Sequence, residues 1–118
     1  MAVTLLDTLV HSRYPRVYEY KVTGASGDQL VYTPSAGNRV WVVGMCMTEA
    51  SAIDFVFKTD TKSISLELGA HQAVVKDLAN GILFFGKVGE AFSVNTGTDL
   101  SEAIIWVVEA EHFAGWFG

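Results

Sequence analysis

The side chains that could do chemistry are few and scattered. Cys46 is the single cysteine and lies between Met45 and Met47. A reactive thiolate needs a nearby cation or a helix N-terminus to lower its pKa, and the flanking residues offer neither. The expectation is a buried, inert thiol. One cysteine also cannot build an internal disulfide framework, a Cys₄ site or a Cys₂His₂ zinc site. His11, His71 and His112 share no i, i+4 or His-x-His spacing, so they read as loop or surface residues rather than metal ligands. Glu109 and Glu111 would share a face of one strand, and paired acids about 5–10 Å apart can hydrolyse glycosides. On a chain of net charge −5, however, scattered acids read as a solvated surface. Asp60 and Asp99, each near threonines, lack the cluster of oxygens that calcium requires. The chain holds no Gly-x-Ser-x-Gly, Walker-type loop or Gly-x-Gly-x-x-Gly. No catalytic residue, metal or cofactor is assigned, and an enzyme is not expected.

What must position these side chains is a series of short strands. Val17 to Thr23 is rich in β-branched and aromatic residues and closes on Gly24-Ala25-Ser26-Gly27-Asp28. Gln29 to Thr33 follows, ended by Pro34-Ser35-Ala36-Gly37-Asn38. Arg39 to Thr48 is apolar on both faces, with Val40, Val42, Gly44 and Cys46 on one side and Trp41, Val43, Met45 and Met47 on the other. Ile53, Phe55 and Phe57 then alternate with Asp54 and Lys58, and Ile64, Leu66 and Leu68 with Ser63, Ser65 and Glu67. Asp60-Thr61 is the turn between them. His71 to Leu78 reads as a strand or an irregular crossover, and Asn80-Gly81 as a turn leading into Ile82–Phe85. Glu90 to Asn95 and Ala103 to Ala110 complete the set. The loops Thr23-Gly-Ala-Ser-Gly-Asp28 and Thr96-Gly-Thr-Asp99 look alike, which is ascribed to shared turn chemistry.

About eight strands with Gly-rich breaks and no βαβ alternation predict an all-β antiparallel sandwich. The chain divides into an N-terminal arm (1–16), a β-sandwich domain (17–110) and a C-terminal aromatic tail (111–118). The arm reads as either a short amphipathic helix or an extended segment, broken by Tyr14-Pro15. At 118 residues the chain supports one domain. With 50% hydrophobic and 18% charged residues it is not disordered. A pI near 5.0 argues against nucleic-acid binding through phosphates. No apolar run is long enough for a membrane span, and the start lacks a signal-peptide core.

The strongest signal is surplus apolar surface. A two-layer sandwich needs one apolar face per sheet, yet Trp41 and Met45 on one strand and Ile104, Trp106 and Val108 on another suggest a second. Phe113, Trp116 and Phe117 add a tail with nothing after it to cover them. Monomers rarely leave such patches exposed, and interfaces favour Trp, Phe and Met. The reading is a closed homo-oligomer, the alternative being a tail that folds back over its own sandwich edge. Leu5, Leu6, Leu9, Trp41, Met45, Trp106, Phe113, Trp116 and Phe117 are its expected contact residues.

One pattern resembles a known group. The Thr-Gly-Ala-Ser-Gly-Asp loop is followed by Gly-Asn-Arg-Val-Trp-Val-Val, Ile-Asp-Phe-Val-Phe-Lys and Asn-Gly-Ile-Leu-Phe-Phe. Gly-Glu-Ala-Phe-Ser-Val-Asn-Thr and Ile-Ile-Trp-Val-Val-Glu then close the run. From Val17 to Glu109 the chain resembles the small jelly-roll β-sandwich structural proteins of tailed phages, which decorate or cement capsids or form fibre bases. The resemblance implies a jelly-roll-like fold and a trimer. It further implies a virion protein, made in the host cytoplasm, that binds the major capsid protein or another virion protein without covalent bonds. It supplies no active-site motif. The aromatic tail departs from the pattern. The alternative is a glycan- or receptor-binding module of a phage fibre, with Tyr18, Tyr20 or Tyr32 stacking on sugars.

Overall fold

The structure is a computed structural model that describes residues 2–9, 16–76 and 82–111. Ten strands run in chain order: β1 (Val3–Leu9), β2 (Val17–Val22), β3 (Gln29–Tyr32), β4 (Arg39–Thr48), β5 (Ile53–Lys58), β6 (Ser63–Leu68), β7 (Ala73–Lys76), β8 (Phe84–Phe85), β9 (Phe92–Asn95) and β10 (Ala103–Ala110). They form two antiparallel sheets. The six-stranded sheet has the order β1-β2-β10-β4-β7, with β8 also on β4, and the four-stranded sheet has the order β3-β9-β5-β6. The described residues therefore form an all-β sandwich, with ten strands where about eight were expected. The run read as a strand or an irregular crossover is a strand, β7, and Val3–Leu9 is a further one, β1. β7 and β8 pair with opposite halves of β4, at Met45–Thr48 and Trp41–Val42, so one edge of the sheet is built from two short pieces.

Of the two readings of the arm, the extended one holds for Val3–Leu9, which is a strand paired along β2, from Val3 opposite Val22 to Leu9 opposite Val17. Among the described residues no strand pairs with its outer edge, and most of its side chains are exposed. That exposure is why it carried no clear strand alternation.

The interior lies between the sheets. Period-two alternation sends Tyr20 and Val22 of β2, Phe55 and Phe57 of β5, Phe92 and Val94 of β9, and Ile105 and Val107 of β10 into one cluster. Its centre is aromatic: Phe57 stacks on Phe84 at 5.7 Å and on Phe92 at 6.2 Å between ring centroids. Offset packing of this kind adds to the area term.

On β4 the alternation breaks. Val107 of β10 faces Val42 and Trp106 faces Gly44, so Val43 is an extra residue on β4. Such a bulge shifts the phase of every side chain beyond it. Val40 and Val42 enter the core before the bulge, and Met45 and Met47 enter it afterwards. The uninterrupted alternation expected for Arg39–Thr48 placed Met45 and Met47 beside Trp41 and Val43. The bulge puts them on the opposite face.

The two similar loops meet. Gly24 N–H donates to Leu100 O at 2.9 Å, and Ala25 bridges Gly97. A Cβ on Gly24 would lie 2.7 Å from the carbonyl oxygens of Leu100 and Thr98, so this approach requires glycine.

Candidate functional site

The side chains that alternate with the core set on the six-stranded sheet form a second apolar cluster. Val17, Trp41, Val43 and Val108 are buried in it, and Leu9, Ile82, Trp106 and Ala110 pack around them. They come from β1, β2, β4 and β10 and the segment before β8. β4 and β10 supply two apolar faces each, but Trp41, Val43 and Val108 are buried within the chain itself, where the sequence reading left them for another subunit to cover.

The two indoles are anchored within the chain. Trp41 Nε1 donates to Ala110 O at 3.1 Å, its ring stacks on Phe85 at 5.1 Å, and the Arg39 guanidinium sits 5.9 Å from the ring centroid. Trp106 Nε1 donates to Glu19 Oε2 at 2.8 Å. Glu19 is thus a polar residue on an apolar face with a specific partner, as a half-buried indole requires. Lys62 reaches the rim from the other sheet. Its Nζ lies 3.6 Å from the Phe85 ring centroid and donates to Phe85 O at 2.6 Å. Burial, and then the charge of Arg39, lowers its pKa from the ordinary lysine value.

Further along the same sheet the surface is an open apolar groove of about 360 Å³, lined by Cys46, Met47, Thr48, Ala73, Val75, Glu102, Ala103 and Ile104. Val75 is 77% exposed there. Cys46 is exposed too, not buried as expected, because the bulge turns it outward while Met45 and Met47 take the core positions.

The expected contact residues therefore separate. Leu5 and Leu6 are 51% and 47% exposed on β1, where Leu6 is the bulged residue between Leu5 and Asp7. Leu9 and Trp106 border the second cluster, and Trp41 is buried inside it. Met45 is fully buried between the sheets, so it is a core residue rather than a contact residue. Phe113, Trp116 and Phe117 lie outside the described residues, as do His11, His112 and the Asn80-Gly81 turn. Tyr20, named as a sugar platform, is buried in the core, and Tyr18 and Tyr32 pack on each other at 5.2 Å between centroids.

Two carboxylates that looked like surface charge are structural. Glu109 accepts Ser35 N–H at 2.9 Å, Ser35 Oγ at 2.8 Å and Asn38 Nδ2 at 3.4 Å. Burial works against its charge, but the bonds from Ser35, Tyr32 and Asn38 outweigh it and hold the carboxyl below the ordinary Glu range. Burial, then the contact with Glu109, pushes the Tyr32 hydroxyl up in turn. Glu49 is buried, and its Oε1 accepts Ser101 N–H at 2.8 Å and Glu102 N–H at 3.2 Å. Its own carbonyl accepts His71 N–H at 2.8 Å, so one residue ties together three loops. Nothing local in Thr48-Glu49-Ala50 signals that role.

On the four-stranded sheet, Asp28 accepts Lys58 Nζ at 2.9 Å and Asn95 Nδ2 at 2.9 Å, and these bonds lower its pKa. Among the described residues no three His, Cys, Asp or Glu side chains come together to hold a metal ion. Comparison with family models, curated proteins and solved structures finds no match to this chain.

Proposed function

We propose that the chain is a virion structural protein, a capsid decoration or cement protein that binds capsid subunits non-covalently and assembles as a trimer. The observation that carries this reading is the exposed apolar surface of the six-stranded sheet, the groove at Cys46, Val75 and Ile104 together with Leu5 and Leu6 of β1. Burial of such surface yields about 25 cal/mol per Å² before association costs are subtracted. Repetition over many equivalent capsid sites would add avidity to a modest single contact.

The jelly-roll reading of the fold rests on strand order. With β1 set aside, and β7 and β8 taken as one interrupted edge, the sheets read β2-β10-β4-β7/β8 and β3-β9-β5-β6. Two four-stranded sheets connected in this alternating way are what two Greek keys folded over one another produce. That fold class is shared by proteins of many functions, so the functional reading depends on the surface rather than the topology.

The test is co-purification. Assembled virions of the phage that encodes the chain, banded through a density gradient, should carry it at a fixed copy number per capsid. Antibody labelling should place it on the shell. Virions without the chain, or label confined to the tail, would overturn the assignment. Light scattering of the purified chain tests the trimer separately.

A further inference from the structure

We infer that the edge of β6, unpaired among the described residues, pairs with β6 of a second copy, antiparallel about a two-fold axis through Ser65, joining two four-stranded sheets into one. Open edges invite pairing, and proteins usually blunt them with bulges, charges or short strands. Three edges here are blunted. β1 is bulged at Leu6 beside Asp7. β3 has four residues and a register shift between Leu30 and Tyr32. The β7/β8 edge consists of pieces of four and two residues. β6 differs: its six residues pair with β5 in unbroken register, it contains no proline, and Glu67 is its one charge.

The ladder defines what the edge offers. Thr59 N–H donates to Lys62 O at 2.8 Å across the Asp60-Thr61 turn, so those two residues form a hydrogen-bonded pair. Antiparallel pairs alternate in type, which makes Phe57/Ile64 and Phe55/Leu66 hydrogen-bonded as well. The N–H and C=O groups of Ser63, Ser65 and Glu67 therefore point away from β5, into the open edge.

A second β6 fits those groups. Two-fold pairing centred on Ser65 sets Ser63 opposite the partner's Glu67 and Ser65 opposite the partner's Ser65, and all three outward-pointing residues are bonded. On the inner face it sets Ile64 opposite the partner's Leu66. Ile64 belongs to the core-facing alternation but is 43% exposed, because the flank of the sandwich ends there. Pairing covers it. On the outer face, Asp54 and Glu67 stand directly opposite each other on β5 and β6, a like-charge pair that destabilises. The two-fold continues that row through the partner's Ser63 to the partner's Lys58, so the acidic end of each strand meets the lysine end of the other.

This contact uses the sheet opposite the proposed capsid-binding surface and stands independently of it. Ser65→Pro should remove the pairing without unfolding the sandwich, because the Ser65 N–H makes no bond to β5 and proline is tolerated at such edge positions. Light scattering at matched concentration should show its mass halved relative to wild type, whether the larger assembly is a dimer or a pair of trimers. A retained trimer would leave the functional proposal standing. In a Cys46→Ser background, oxidised Ser65→Cys should give a covalent dimer, and Ser63→Cys should not, since the two-fold opposes Ser65 to itself and Ser63 to Glu67. The cysteine variants decide the matter if Ser65→Pro fails to fold. Equal masses for wild type and a folded Ser65→Pro, or equal cross-linking at positions 63 and 65, would overturn the inference.

Discussion

The outer faces of the two sheets are built by opposite rules. The four-stranded sheet turns Asp54, Lys58, Ser65, Glu67, Ser93 and Asn95 outward, alternating with Ile53, Phe55, Phe57, Leu66 and Leu68 inside. It is an ordinary half-solvated sheet. The six-stranded sheet turns Val17, Trp41, Val43 and Val108 outward and buries them under its own aromatic and aliphatic neighbours. One sheet solvates its exterior, while the other builds a second core there. The difference implies that equivalent substitutions on the two outer faces have unequal costs.

The largest expected effect is on the apolar exterior. Trp41→Ala removes a buried indole, its stacking on Phe85 and its bond to Ala110 O, and should cost about 3–5 kcal/mol in denaturant unfolding. A cost no greater than that of a solvent-facing substitution such as Ser93→Ala would break the comparison. Next comes Glu49→Ala, which leaves the Ser101 and Glu102 amides without their acceptor. A loss of about 1–3 kcal/mol is expected, and faster amide exchange at residues 101 and 102 would locate it.

Acid should sharpen the contrast further. Glu109, at the end of β10 in the six-stranded sheet, has its pKa held below the ordinary value of 4.5. Its contribution is complete above that ordinary value and disappears as pH falls through the lowered one. Asp28 and Glu90 are shifted the same way. Stability should therefore decline on acidification below about pH 4.5, and Glu109→Gln should flatten that decline. An unchanged acid limb in the variant would remove Glu109 from the account. The smallest effect belongs to the polar exterior. Glu67→Gln relieves the repulsion from Asp54 and should raise stability by a few tenths of a kcal/mol, about the size of a cross-strand charge pair. Measurable destabilisation would show that the row is not repulsive.

How much of this was legible depended on whether a strand obeys its own period. β5 and β6 alternate apolar with polar residues, Val56 apart, and their spans and inward faces follow from the residue types alone. β4 carries equally apolar residues on both sides, so its composition announced a doubly covered strand but not the bulge at Val43. That bulge is set by pairing with β10, a contact 60-odd residues away in the chain, and it exchanged Met45 for Cys46 at the surface. Trp41 and Trp106 were singled out for their size and fall on the face anticipated for them. Their partners, Ala110 O and Glu19, come from strands that only the fold brings near. Glu49 was invisible because its ligands are backbone amides, which leave no trace in residue identity.

The division of one sheet edge between β7 and β8 has a practical corollary. β4 acts as a rail that grips each short piece separately, Ala73–Lys76 at one end and Phe84–Phe85 at the other. Neither piece takes its register from the other, so loosening one should leave the other seated on β4, and the two ends of this edge should open to amide exchange independently.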